Sequence, residues 1–250
     1  MTMGNLQGVE ALVFDVFGTV VDWRSSVVDE LGKLGKKTGA DESTDWTAFA
    51  NEWRKGYMQS TRNVADGAGV GPLNVDVLHR ELLDKMLASP SWSKLGALWQ
   101  DEERKQLNLA WHRLNGWPDS SEGLKRLKKT KILATLSNGN VRLLVDMAKF
   151  ADLPWDVIFS TELFGSFKPH PKTYLGAAHH LSLPPSSCAM VAAHIFDLRA
   201  AASNGMKTIY VRRLDEDVVE PESVTRKEDG GEVDYVVDSL TQLAELFEKL

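Results

Sequence analysis

The chain has one cysteine among its 250 residues, so Cys188 has no partner for an intramolecular disulfide and the sequence carries no framework built for an oxidising compartment. A reduced, cytoplasmic setting is expected. No run approaches the roughly 18 consecutive uncharged apolar residues of a membrane span. The first apolar stretch, Ala11 to Val21, is interrupted by Asp15 and has no basic segment before it, so it does not read as a signal peptide. Positive charge is also in deficit: 29 Lys and Arg against 35 Asp and Glu give a net charge of −6, the opposite of the basic field a nucleic-acid binder usually presents. Neither nucleic acid nor a membrane is an expected partner, and any anionic ligand must be met by local positive charge. At this length a core can be buried without disulfides or metals.

What is present is unevenly distributed. Seven of the eight tryptophans lie between Trp23 and Trp117, and only Trp155 lies outside. Beyond that stretch come short apolar runs, Glu10 to Phe14, Lys131 to Leu136, Val157 to Phe159, Ala189 to Ala193, Thr208 to Val211 and Tyr235 to Val237. Several are nearly continuous, as in strands covered on both faces of a parallel sheet. Helical patterns at Val141 to Ala151, Lys172 to Leu181, Leu198 to Asn204 and Leu240 to Leu250 alternate with them, which indicates an α/β, doubly wound, Rossmann-like core. One connection is anomalous: Ser137 stands 122 positions beyond Asp15, whereas a βαβ unit needs about 30 residues. The intervening segments Ser25 to Lys37, Asp45 to Arg62, Val75 to Ala88 and Asp101 to Leu114 show helical spacing, broken by Gly67 to Pro72 and Ser89 to Ser93. The expected organisation is a core of residues 1–22 and 118–250 with an inserted helical cap of residues 23–117. The acidic, Gly-containing stretch Asp215 to Glu232 reads as a solvated loop.

Polar residues follow four of these runs in succession. Asp15-Val16-Phe17-Gly18-Thr19 follows the first, at the carboxyl end of the sheet where open α/β folds place their ligand crevice. Ser137-Asn138-Gly139-Asn140 follows the second and opens a helix, an arrangement that offers donors to an anion. Lys168 lies in Lys168-Pro169-His170-Pro171, with Tyr174 shortly after, and His194 and Asp197 follow the fourth run. Taken singly, Asp15 caps a turn as readily as it performs chemistry, and Ser-Asn-Gly is a common helix start.

Together the four segments resemble the haloacid dehalogenase superfamily, whose motifs are a nucleophilic Asp, a Ser or Thr, a Lys and a carboxylate after successive core strands; here these are Asp15, Ser137, Lys168 and Asp197. Within the superfamily, phosphatases carry a second Asp two residues after the nucleophile because an alkoxide leaving group needs a proton. Phe17 occupies that position, and a departing halide needs no proton. The fourth segment, with His194 before Asp197, also makes a poor cage for Mg²⁺, which wants oxygen ligands. The pattern is similar to type II 2-haloacid dehalogenases. That resemblance implies metal-independent hydrolysis of short 2-haloalkanoic acids through an ester on Asp15, with no cofactor. It further implies Thr19, Lys168, Asp197 and His194 in catalysis, with Phe17, Gly18, Arg54, Ser137, Asn138 and Tyr174 around the substrate and halide. Arg54 stands in Trp53-Arg54-Lys55-Gly56-Tyr57, the segment similar to the one that supplies the family's halide-binding Arg. The sequence departs from the family at Ala192 and His194. Two other readings stand beside this one, a Mg²⁺-dependent phosphatase and a non-catalytic binder of small carboxylates. His179-His180 lacks partners at metal-ligand spacing, so no metal centre is expected, and a homodimer is compatible with the pattern.

Overall fold

The computed structural model describes residues 6–249; the ends of the expected core, residues 1–5 and Leu250, lie outside the described residues. Six parallel strands form the main sheet: β1 (Ala11–Phe14), β4 (Ile132–Ser137), β5 (Val157–Ser160), β6 (Cys188–Ala192), β7 (Lys207–Val211) and β8 (Tyr235–Val237), in the order β5-β4-β1-β6-β7-β8. β1 is central. It pairs with β4 on one side, Phe14 opposite Thr135, and with β6 on the other, Phe14 opposite Val191. The chain runs outward from β1 to β5 and then returns to β6, so the order reverses at β1, which places the ligand crevice of such a sheet at this strand's carboxyl end.

Side chains alternate along β1. Leu12 and Phe14 pack on one face with α7 (Val141–Phe150) and α10 (Leu240–Glu248), through Leu143, Met147, Leu243 and Phe247. Ala11 and Val13 pack on the other with α8 (Pro171–His180) and α9 (Ile195–Ser203), through Tyr174, Ala177, Leu198 and Ala201. Both faces are covered, which is why the strands read as continuous apolar runs.

Between β1 and β4 lie α1 (Trp23–Thr38), α2 (Trp46–Ala65), α3 (Val75–Leu87), α4 (Ser93–Leu98), α5 (Asp101–Asn108) and a 3₁₀ turn, Leu109–His112. Each of the first three starts where a side chain accepts a free backbone N–H: Asp22 from Ser25, Asp45 from Ala48, and Asn74 from Asp76 and Val77. Trp53, Trp99 and Trp111 are fully buried inside this insertion. The tryptophan concentration therefore builds a core; Trp53 spends its N–H on the His79 carbonyl at 2.9 Å. A two-residue ribbon, β2 (Val21–Asp22) against β3 (Asn115–Gly116), closes the base of the insertion, and α6 (Ser120–Leu127) leads back to the sheet.

Three elements differ from the sequence reading. The Ser/Pro-rich break at Ser89 to Ser93 is followed at once by α4, too short to show a period. The expected helix Asp101 to Leu114 ends as α-helix at Asn108 and continues only as a 3₁₀ turn. The stretch Asp215 to Glu232 is not simply solvated, because Asp217 accepts from the Ile195 N–H at 2.7 Å and pins the loop to the start of α9. No helix among the described residues is long and apolar enough to cross a membrane.

Candidate active site

Asp15 is the first residue beyond β1, and its N–H still donates to Val191 O at 3.0 Å, so the ladder fixes its position. Its side chain is buried and fully engaged. Lys168 Nζ donates to Oδ1 at 2.8 Å; Thr19 Oγ1 donates to Oδ2 at 2.8 Å, and His194 Nδ1 lies 3.0 Å from the same oxygen. Burial alone would raise the Asp15 carboxyl, but the Lys168 charge and the bonds from His194 and Lys168 outweigh it and hold the group well below the usual carboxylate range. Thr19 reaches back because the turn at Gly18, with φ +81, reverses the chain, and it also accepts from Ala193 N–H at 2.9 Å, tying the turn to the end of β6.

Lys168 is pulled in two directions. Its second partner is Asp197 Oδ2 at 2.5 Å, and its own N–H donates to Asn138 Oδ1 at 2.9 Å. Burial disfavours the ammonium, yet the two carboxylates raise its proton affinity above the ordinary lysine value. Asp197 is pushed upward by burial and by the Asp15 charge, against the pull of Lys168. Tyr174 Oη donates to Asp197 Oδ1 at 2.5 Å.

His194, at the N-cap of α9, lies between two carboxylates: Nδ1 meets Asp15, and Nε2 stands 3.9 Å from Glu216 Oε2. Burial would lower the imidazole, but the bond and charge of Asp15 raise it. Its carboxylate partners are Asp15 and Glu216; the nearby Asp197 carboxylate is bonded by Lys168 and Tyr174 instead.

A cavity of about 440 Å³ opens over these groups, lined by Asp15, Phe17, Ser137, Asn138, Lys168 and His194 from the sheet side and by Arg54, Tyr57 and Met58 from α2. The Arg54 guanidinium carbon lies 4.8 Å from the Tyr57 ring centre and 5.3 Å from those of Phe17 and Trp23, an aromatic box. Among the described residues it makes no ion pair, and its Nη1 is buried with no hydrogen-bond partner. A half-buried guanidinium with an unpaired, buried Nη1, facing an ionised carboxylate across a cavity, suits an incoming anion. Ser137 Oγ accepts from Gly139 N–H at 3.2 Å, leaving its own O–H to be donated.

Two residues expected around the substrate take other places. Tyr174 does not line the cavity; it lies behind it, on Asp197. Gly18 gives its N–H to Val21 O at 3.0 Å, and its part is to shape the turn. Arg62, an exposed residue of α2, also lines the cavity. Glu216 escaped the sequence reading because an acidic residue in an acidic loop carries no signal of burial; only the Trp23 indole, 193 positions away, reveals its place.

The model of the haloacid dehalogenase-like hydrolase family matches residues 9–205, four-fifths of the chain and all four motif segments. The chain belongs to the haloacid dehalogenase-like hydrolases. The (S)-2-haloacid dehalogenase of Xanthobacter autotrophicus is 28% identical to this hydrolase over 221 residues, covering 87% of this chain and 80% of that one. Among solved structures, the defluorinating L-2-haloacid dehalogenase Rha0230 superposes with a TM-score of 0.85 at 35% identity, over 96% of this chain and 95% of that one. The L-2-haloacid dehalogenase PA0810 superposes with a TM-score of 0.82 at 33% identity, over 96% and 99%.

Proposed function

We propose that this hydrolase cleaves the carbon–halogen bond of short 2-haloalkanoic acids through an ester on Asp15, without a metal. The observation that carries the reading is the pairing of an ionised, cavity-facing Asp15 with an unpaired Arg54 in an aromatic box. An Asp15 oxygen attacks C2 of the substrate, the C–X bond breaks, and the halide leaves with both bonding electrons toward Arg54. Arg54, with Asn138, supplies donors where that charge develops. Ser137 and the N–H groups of Val16 and Phe17, directly after Asp15, hold the substrate carboxylate. Lys168 keeps Asp15 ionised, Thr19 orients it, and water then opens the ester at Cγ. The inserted helices act as the cap over this chemistry. The (S)-2-haloacid dehalogenase names of the relatives and the L-2-haloacid dehalogenase names of the structural neighbours support the same reading.

The donor set does not fit the Mg²⁺ of the superfamily's phosphatases. The position two residues after the nucleophile offers an aromatic ring, Phe17; both Asp15 oxygens are taken by Lys168, Thr19 and His194, and Lys168 bonds the Asp197 carboxylate. A lysine ammonium and an imidazole thus stand where a dication would need oxygen ligands. Among the described residues no cluster of three or more His, Cys, Asp or Glu is arranged to hold a metal ion.

One panel tests the proposal: halide release from 2-chloropropionate and chloroacetate, and phosphate release from a generic phosphate ester, each with and without EDTA. Halide release indifferent to EDTA is expected. Phosphate release abolished by EDTA, with no halide released, reverses the reading, and silence in every assay favours a carboxylate-binding role. For the ester route, repeated turnover in ¹⁸O water places label in Asp15; label found only in product after a single turnover excludes it.

A further inference from the structure

Asp215 to Glu232 has the composition of a solvated loop, yet the Glu216 side chain is only 4% exposed. A carboxylate that deep needs partners, and it has two. Trp23 Nε1, at the start of α1, donates to Oε2 at 2.9 Å, and the same oxygen lies 3.9 Å from His194 Nε2, an ion-pair distance. Its seat is built from the other side as well: a Cβ on Gly18 would stand 2.1 Å from Oε2, so only glycine at the turn that carries the nucleophile lets Glu216 in. Asp217, the next residue, anchors the loop to Ile195 N–H beside His194. The other charged groups facing the pair are Asp15 on Nδ1, Arg54 from α2 and Arg24 from α1, the last of which donates to Asp215 O at 2.6 Å.

We infer that Glu216 is a positioning residue that keeps the proton on His194 Nε2 and supports the imidazolium, making Nδ1 the nitrogen that takes a proton from the water attacking the Asp15 ester. In the free enzyme Asp15 and Glu216 share His194. Alkylation of Asp15 removes one of those two charges and the Nδ1 proton that it held is released to solvent, leaving Glu216 as the carboxylate at the imidazole, so Nε2 holds its proton and the Nδ1 lone pair faces the ester. The water oxygen then bonds to Cγ and one of its protons passes to Nδ1; the bond from Cγ to the substrate oxygen breaks, and that oxygen takes the proton from Nδ1 and leaves as the alcohol of the 2-hydroxy acid. The second proton of the water is released to solvent as the Asp15 carboxylate reforms. The kinetic consequence rests on the dehalogenase reading; the pairing of Glu216 with His194 does not.

Glu216→Gln keeps an oxygen for Trp23 and removes only the charge, and two measurements on the variant separate the possibilities. In the substrate-free protein, NMR titration of the His194 imidazole is expected to show proton affinity lowered about tenfold. In a single turnover of 2-chloropropionate, the halide burst is expected to stay within about twofold of the parent while ester hydrolysis slows about tenfold or more, so the Asp15 adduct appears by mass spectrometry, and Glu216→Asp recovers part of the rate. His194 titrating at the same pH in both proteins, or an adduct that decays at the parent rate, overturns the inference. Should Glu216→Gln fail to fold, Trp23→Phe loosens the same carboxylate and must move the His194 titration in the same direction. A parent protein that releases no halide removes the dehalogenase reading and leaves the titration to decide the pair.

Discussion

Lys168 Nζ stands 2.8 Å from Asp15 Oδ1 and 2.5 Å from Asp197 Oδ2, so one buried ammonium joins two buried carboxylates. Lys168→Met leaves those carboxylates without it, and a loss of about 3–5 kcal/mol of stability is expected in urea unfolding. Asp15 titrates below its ordinary value of 3.8, so its contribution is full above that pH and fades as pH falls through the depressed folded value. In the variant the Asp15 carboxyl rises, and the acid limb of kcat/KM for halide release is expected to move toward neutral pH. An acid limb that stays in place disproves Lys168 as the group that keeps the nucleophile ionised.

The aromatic box makes Arg54 hard to replace. Arg54→Ala is expected to lower kcat for halide release by about 10²–10³, the scale of removing a donor aimed at developing charge. Arg54→Lys should recover little, because an ammonium lacks the planar fork that stacks among Phe17, Trp23 and Tyr57. Arg199, whose exposed pair with Glu232 lies away from the cavity, serves as the control; Arg62 does not, since it lines the cavity. Equal losses at Arg54 and Arg199 would sink the halide assignment.

The difference between Arg54 and Glu216 marks how far the sequence carries. The six parallel strands were legible because strands covered on both faces read as continuous apolar runs, and the motif residues were legible because each lies at or beyond the carboxyl end of one of them: Asp15 just after β1, Ser137 as the last residue of β4, His194 two residues after β6 and Lys168 eight after β5. Asp15, Ser137, Lys168 and His194 meet at one cavity for that reason. What escaped depends on contacts between distant segments. The β2–β3 ribbon is two residues long on each side and has no period to detect. Tyr174 follows Lys168 closely in sequence, but α8 turns its ring behind the cavity onto Asp197. Glu216 looks like a solvated acid until the α1 indole closes over it.

Tyr174→Phe tests that displacement. The hydroxyl bonds Asp197 in the interior, so its loss is expected to cost about 1–3 kcal/mol of stability and to lower kcat through Lys168, with little change in KM. A tenfold rise in KM with kcat retained would instead return Tyr174 to the substrate.

Beyond the cavity, His112 joins the helices between β1 and β4 to α7, which packs on the sheet. Its Nε2 lies 2.9 Å from Asp76 Oδ1 on α3 and its Nδ1 lies 2.9 Å from Asp146 Oδ2 on α7, while Asn140 Nδ2, from the segment after β4, donates to Asp76 Oδ2 at 2.9 Å. Burial disfavours the imidazolium, but the two carboxylates prevail and raise His112 above its ordinary 6.5. A raised folded value stabilises the folded protein fully below the unfolded value, and that stabilisation is lost as pH rises through the folded one. The charged bridge is therefore strongest below about pH 6.5 and weakens as pH rises through the raised folded value. His112→Gln keeps polar contacts and removes the titration. At pH 6 it is expected to unfold more easily than the parent by about 1.5–3 kcal/mol, the scale of hydrogen bonds to a charged group. The gap should narrow as pH rises through the folded His112 value, while the halide burst of the variant at pH 6 stays near that of the parent. A parent-to-variant difference in Tm that is flat from pH 6 to pH 9 rules out a protonated His112 bridge.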